Sequence, residues 1–376
     1  MGLFTAAHFV QVAPCRSGLY ETTREICKGQ IEFLNWDARM VDVTGICTAG
    51  GKPTKKKEER GVPLASVKWA KKKADVFFLH TGIPTKIEGS RPALYFAHGM
   101  PEYTFYSQVM REVSPSEAIR EQKLKNANPF FGSWGLIVQI AKKDWMKGAV
   151  TLWRRHKPYW EPYFENVILG NHFCDLELFK PEGDKADYVQ RPAENGGLNI
   201  TFADHWRYTA FKDPFQILHG AYKFCKETNS RIHLYAVPKE EVRDIRHPWN
   251  SIIHGVSDEL KDTIGGFYAV HADIASVHRA ADLLITPSCD DTRTVIEASA
   301  CGCPVLARHG TEAAIFHCRM EDPDELYKAL KDVYYKLQDE KKKKSIKERS
   351  RELVTRNNFS LKACVEKIET GLAEAL

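Results

Sequence analysis

The stretch Ala281 to Ile315, ADLLITPSCDDTRTVIEASACGCPVLARHGTEAAI, constrains this chain more than any other. Leu283-Leu284-Ile285 is a short apolar run, which predicts a buried strand ending at Thr286-Pro287-Ser288. The polar residues from Cys289 to Thr292 suit a tight turn. Val295 to Ala300 then reads as a helix of small residues, stopped by Cys301-Gly302-Cys303-Pro304, and Val305-Leu306-Ala307 as the next strand. In open α/β sheets built from such units, ligands bind beyond the carboxyl ends of the strands. Glu297 falls one turn into a helix too small and apolar to need a carboxylate for packing, which marks it as a functional candidate.

A chain of 376 residues is too long for one ordinary core and fits two domains. With 43% hydrophobic and 27% charged residues, fibrous and disordered classes drop out. No apolar run approaches the roughly 20 residues of a transmembrane helix. Met1 to Gln11 lacks the basic and apolar regions of a signal peptide, so a cytoplasmic protein, of a bacterium or a phage-infected host cell, is expected. Ten cysteines without framework spacing read as free thiols. Cys301 and Cys303 with Cys289 lack the paired Cys-x-x-Cys spacing of structural zinc, so no metal site is expected there.

Net charge is only +5, but the cations are clumped at Lys55–Lys57, Lys71–Lys73, Lys142-Lys143, Arg154-Arg155 and Lys341–Lys344. The last clump is interleaved with acids and reads as a solvated helix face. Those of the first half are less balanced and could face an anionic acceptor.

Along the chain, Leu3 to Val12 predicts a first strand, Ser17-Gly18 a glycine turn, Glu21 to Phe33 a helix, and Ala38 to Val43 a second strand, which together form a βαβ unit. Gly45 to Pro63 reads as a mobile loop. Ala74 to His80 and Pro92 to Gly99 are the next strands, each ending in a histidine. Leu136–Ile140 and Gly148–Leu152 read as two strands or a helix and a strand, and Asn166–Gly170 as another strand. Residues 183–197, dense in Pro, Gly and charge, read as a linker. Strands are then predicted at Leu198–Ala203 and Arg231–Val237, an amphipathic helix at Pro323–Glu340, and a last helix over Phe359–Leu372.

Pro287-Ser288 with Glu297-Ala298-Ser299-Ala300-Cys301-Gly302-Cys303-Pro304-Val305 resembles the donor-site signature of retaining GT-B glycosyltransferases of the family-four type, the glycosyl transferases group 1. The first glutamate of that signature is absent: its position falls on Cys289, while Asp290 and Asp291 stand too close to Glu297, so the loop is about two residues shorter. Thr292-Arg293-Thr294 replaces the usual glycines. The resemblance implies an α/β GT-B fold, two Rossmann-like domains facing across a cleft. They would be an acceptor-side domain over 1–182 and a donor domain over 198–355, with a helix over 356–376 crossing back. Arg207 and Lys212 match the family's spaced cation pair and are implied to meet the donor diphosphate, Arg by a bidentate grip and Lys as a point charge. His98, in His98-Gly99, is implied to reach the donor sugar, with Arg207, Lys212 and His98 as the catalytic set. Glu297 is implied to take the ribose hydroxyls, Asp290 or Asp291 the sugar, Arg293 to serve as a third cation for the diphosphate, and Ser288, Thr294 and Gly18 to complete the donor site.

The activity so implied is transfer of a hexose from a UDP- or GDP-sugar to an acceptor hydroxyl with retained configuration, and no required metal. The acceptor stays open. Glu102, Tyr103, Tyr106 and Arg111, within a segment without counterpart in the family, are the candidate contacts. A glycan or small molecule is one class. A lipid-linked acceptor would suit Trp145, Trp153, Tyr159 and Trp160 amid basic residues. A hydroxylated base in DNA is the third, because the lysine clumps and shortened loop resemble phage-encoded enzymes that decorate modified bases. The altered loop also fits a different class, a catalytically inactive GT-B module that binds sugar-nucleotides or nucleic acid.

Overall fold

The computed structural model describes residues 4–12, 18–44, 52–80, 87–98, 140–188, 191–203, 214–235, 258–268, 273–288 and 290–376. The chain divides into two units, Met1–His172 with Leu361–Leu376, and Phe173–Ser360. Each is an α/β layer on a parallel sheet, so the fold class is two Rossmann-like domains.

In the first unit β1 (Thr5–Val10), α1 (Gly18–Leu34) and β2 (Asp37–Asp42) form the opening βαβ, with β1 and β2 parallel along their whole length. Gly18 opens the helix. The second half of the stretch expected to be a mobile loop is instead a hairpin: β3 (Glu58–Glu59) pairs with β4 (Val62–Ala65), and β4 adds to β2 in parallel. Arg60 (φ 52°) and Gly61 (φ 84°) supply the two positive-φ residues that a tight hairpin turn demands. Val62 is buried with Tyr20, Cys27 and Met40, which holds the ribbon down. The arginine disguises that turn in the sequence.

Helix α2 (Val67–Lys73) follows, its first turn capped by Ser66 Oγ accepting from Trp69 N at 3.1 Å. Then come β5 (Val76–Leu79), β6 (Ala93–Ala97), β7 (Met146–Thr151) and β8 (Val167–Leu169). The sheet order is β3-β4-β2-β1-β5-β6-β7-β8. The chain steps outward from β1 through β2 and β4, then returns to place β5 on the other side of β1. The gap between β1 and β5 is therefore the topological switch point, where open α/β sheets bind ligands.

The second unit runs β9 (Asn199–Phe202), α3 (Pro214–Thr228), β10 (Arg231–Leu234), β11 (Ile264–Phe267), α4 (Ile274–Ala280), β12 (Leu283–Ile285), α5 (Arg293–Ala300), β13 (Val305–Ala307) and β14 (Phe316–His317). Its sheet is parallel throughout, in the order β11-β10-β9-β12-β13-β14, and its chain reverses between β9 and β12. Helices α6 (Pro323–Gln338) and α7 (Glu340–Arg356) complete it. Asp322 caps α6 by accepting from Asp324 N and Glu325 N, and Leu326, Leu330, Val333 and Leu337 recur at helical spacing to bury one stripe. Lys341, Lys342 and Lys344 of α7 are exposed, while Lys343 pairs with Asp282 at 3.2 Å and Lys347 is partly buried.

The last helix, α8 (Leu361–Ala375), belongs to the first unit. It lies on α1 at Gly29, where a Cβ would come within 2.9 Å of Leu361, and its Ile368 meets Gly170. Trp160, read from the sequence as part of an aromatic surface, is fully buried, its ring 5.3 Å from Tyr95. Of that proposed lipid face only Tyr159 is an exposed aromatic ring, because a tryptophan adjoining β7 and β8 fills the core sooner than it faces water.

Candidate functional site

Two constellations stand at the carboxyl edges of the two sheets, each at its switch point. In the second unit the chain leaves β12 at Thr286-Pro287-Ser288. Ser288 is buried and builds the turn: its hydroxyl donates to the Asp290 carbonyl at 3.1 Å and accepts from Asp290 N at 3.2 Å. Its carbonyl accepts from Arg308 N. Thr292, in extended conformation, is the N-cap of α5, yet its hydroxyl makes no capping bond. The first-turn amides of α5 are thus not taken up by the side chain that usually takes them. Thr294 stands in that same first turn.

Glu297 is 6% exposed, and its Oε1 accepts from Arg293 Nε at 2.5 Å, an i,i+4 pair within α5. Arg293, read as a third cation for the diphosphate, is here the partner that holds this carboxylate in place. Asp291 Oδ1 accepts from Ala313 N at 2.7 Å, while Ser299 Oγ donates to Ala313 O at 2.6 Å. The loop after β13 is thereby clamped onto both ends of α5. Burial raises the Asp291 carboxyl to about 6, against the opposing pull of the Ala313 and Glu312 amides. Asp290 is buried beside it. The helix ends as the sequence predicts: Gly302 takes φ 75°, Gly302 N donates to Ser299 O and Cys303 N to Ala298 O.

In the first unit one face of the sheet carries a row of rings. Alternation along β1, β5 and β6 sends Phe9, Phe77, Leu79 and Tyr95 into the core cluster on one side, and His8, Phe78, His80, Phe96 and His98 to the other. His8 stacks on Phe78 at 4.5 Å and His80 on Phe96 at 4.4 Å. His8 Nε2 lies 2.7 Å from Gln30 Oε1, His8 Nδ1 3.0 Å from His80 Nε2, and His80 Nδ1 2.8 Å from His98 Nε2. Thr23 Oγ1 is 3.0 Å from His80 Nδ1 and also donates to Leu19 O. Burial lowers His8 to about 4 and, with neighbouring His172, His98 to about 3, and holds His80 well below its ordinary value, so all three rings are neutral near pH 7. His98 and His80 were legible as strand-end histidines. His8, Gln30 and Thr23 were missed, since nothing distinguishes one histidine inside an apolar strand from core.

The lysine clumps do not share one face. Lys71–Lys73 end α2 just before β5, and Lys142-Lys143 precede β7, so both sit at the amino edge of the first sheet. Arg154 and Arg155 follow β7 at the carboxyl edge, and both are exposed. Arg207, Lys212, Glu102, Tyr103, Tyr106 and Arg111 lie outside the described residues. Among the described residues, no group of three or more His, Cys, Asp or Glu is placed to hold a metal ion, and no helix is long and apolar enough to cross a membrane.

No protein-family profile matches the chain, and no curated protein sequence does. Solved structures do match, over essentially the whole length. A glycosyltransferase from Rickettsia africae superposes with TM-score 0.68 at 16% identity, covering 100% of this chain and 99% of that one. Anabaena HepE, solved with UDP and glucose, gives 0.65 at 14% identity, covering 99% and 100%. The pneumococcal O-GlcNAc transferase GtfA, solved with UDP and GlcNAc, gives 0.59 at 10% identity, covering 100% and 99%. At such identities the likeness shows the fold: this chain has the GT-B architecture of these glycosyltransferases.

Proposed function

We propose that the chain is a retaining glycosyltransferase that moves a hexose from a UDP- or GDP-sugar to an acceptor hydroxyl, without a required metal. The observation that carries this is the switch point of the second sheet, where the turn after β12 presents a buried, arginine-held carboxylate one turn into α5. Glu297 accepts the ribose hydroxyls. The uncapped first turn of α5, with Ser288, Thr294 and the helix dipole, faces the diphosphate. In the reaction the bond from the anomeric carbon to the diphosphate oxygen breaks, one to the acceptor oxygen forms, and the acceptor's hydroxyl proton passes to the departing diphosphate. Negative charge grows on the leaving diphosphate, and preorganised cations stabilise it best. Arg207 and Lys212, which follow β9 in sequence, are assigned that task. His98 and Asp290 are assigned to the sugar hydroxyls. Asp291 is assigned to the loop first and to the sugar second, because Ala313 already holds it.

The acceptor we favour is a glycan or small-molecule hydroxyl, with Glu102, Tyr103, Tyr106 and Arg111 as its contacts. A hydroxylated DNA base is the second class, favoured by exposed Arg154 and Arg155 at the carboxyl edge but weakened by the placement of Lys71–Lys73 and Lys142-Lys143 at the opposite one. The test is mass spectrometry of purified protein with each common nucleotide-sugar and three acceptors: a glycan mixture, a lipid extract and hydroxymethylated DNA. Sugar on glycan supports the reading. Sugar on DNA, suppressed by salt, reassigns the acceptor. Donor binding with neither transfer nor hydrolysis would make the chain a sugar-nucleotide binding module instead.

A further inference from the structure

Four contacts tie Gln30, His8, His80, His98 and Thr23 into one buried line. Three neutral imidazoles carry three N–H protons, and the line from Gln30 to His98 holds three contacts. Every contact is satisfied only when all three rings point the same way. If Gln30 presents its oxygen, His8 Nε2–H donates to it, His80 Nε2–H donates to His8 Nδ1, and His98 Nε2–H donates to His80 Nδ1. His98 Nδ1 is then a bare lone pair, an acceptor. If Gln30 presents its amide nitrogen, each proton moves to the other ring nitrogen and His98 Nδ1 becomes a donor.

The structure sets the two ends against each other. Gln30 is fully buried with Oε1 toward His8, and its Nε2 is buried with no hydrogen-bond partner. Thr23 spends its one proton on Leu19 O, so its lone pairs favour a proton on His80 Nδ1, the reverse setting. Turning the Thr23 hydroxyl toward His80 resolves the conflict at the cost of its bond to Leu19 O, a carbonyl that the ladder of α1 also serves, whereas turning Gln30 leaves its outer amide atom without a partner all the same. The amide orientation therefore governs.

We infer that Gln30, His8 and His80 are positioning residues forming a tautomer relay that holds His98 as the Nε2–H form, so that His98 presents Nδ1 as a hydrogen-bond acceptor. Thr23 is the counterweight. That this acceptor meets a donor-sugar hydroxyl rests on the function proposed above, but the relay itself does not. A hydroxyl that finds an acceptor at one fixed nitrogen is oriented by Gln30, 68 residues from His98 in sequence, only through this line of rings, and a mere packing role would leave the tautomer indifferent.

The test is nitrogen-15 NMR of histidine-labelled protein, which separates protonated from bare ring nitrogens. Wild type should show His98 Nδ1 bare and Nε2 protonated. Gln30→Met removes the anchor and should move His98 toward the Nδ1–H form, although residue 30 touches neither His98 nor any proposed substrate atom. Thr23→Val removes the counterweight and should keep or deepen the Nε2–H form, and being nearly isosteric it keeps the test alive if Gln30→Met fails to fold. A His98 tautomer unchanged by Gln30→Met, or a wild-type His98 in the Nδ1–H form, overturns the relay. A tautomer that moves in Gln30→Met while the donor KM and kcat stay at wild-type values supports the relay and removes His98 from the sugar site.

Discussion

Replacing Glu297 with Gln keeps the side chain's shape and removes its charge, which separates its two roles. The first is structural. Glu297 is nearly buried and pairs with Arg293, whose side chain is 30% exposed, so the pair lies between a surface ion pair worth about 0.3–0.5 kcal/mol and a buried one whose breaking costs about 3–5 kcal/mol. Glutamine still offers Arg293 an amide oxygen, so a loss of about 1 kcal/mol is expected, or roughly 2–4 °C for a domain of this size. The second role is nucleotide binding. A hydrogen bond to a charged group contributes about 1.5–3 kcal/mol, so losing the carboxylate opposite the ribose should weaken UDP or GDP by about 10- to 150-fold. Titration calorimetry of the nucleotide and thermal melts of both proteins read the two effects separately. If Glu297→Gln binds nucleotide within twofold of wild type while melting a few degrees lower, Glu297 is only a strut for Arg293, and the reasoning fails.

Three further outcomes follow from burial and packing. His278 is fully buried, both its ring nitrogens lack a hydrogen-bond partner, and burial, then Arg279, lowers it from 6.5 to about 3. The unfolded chain therefore takes up a proton that the folded one refuses, so this contribution to stability is full above pH 6.5 and is lost as pH falls toward 3. His278→Leu should narrow the difference in urea midpoint between pH 7.5 and pH 5, and an undiminished difference would refute the assignment. Asp291 is raised from 3.8 to about 6, so its charged form burdens the fold above pH 6 and the burden lifts as the carboxyl protonates. Asp291→Asn keeps an acceptor for Ala313 and should gain stability over wild type at pH 8, with the gap closing below pH 6; a gap independent of pH contradicts this. Gly197→Ala would set its Cβ 2.3 Å from Asn229 O and 2.8 Å from Ser230 N, both backbone, so about 1–3 kcal/mol should be lost in a denaturant melt.

How far the sequence reached follows from which signals are local. The strand, turn and helix around Glu297 were legible because the apolar run, the small-residue helix and the Cys301-Gly302-Cys303-Pro304 stop each act within a few residues. The order of strands in each sheet was not, since pairing is long range and one parallel strand resembles another. The hairpin at β3 and β4 was hidden by Arg60 in a position where glycine or asparagine is the usual sign. Arg293 read as a cation for phosphate because charge is visible in sequence and its i,i+4 partner had already been given another task. The histidine row needed the sheet: His8 lies 72 residues from His80, and only the parallel register of β1 and β5 brings them within 3.0 Å.

The central claim is that a nucleotide binds at the switch point of the second sheet, and hydrogen exchange of the backbone amides tests it most directly. With saturating UDP or GDP, amides over 286–296, in the turn after β12 and the first turn of α5, should exchange more slowly, while those of the β3–β4 hairpin keep their rates. Unchanged exchange over 286–296 with nucleotide bound, or protection confined to other elements, would contradict the account.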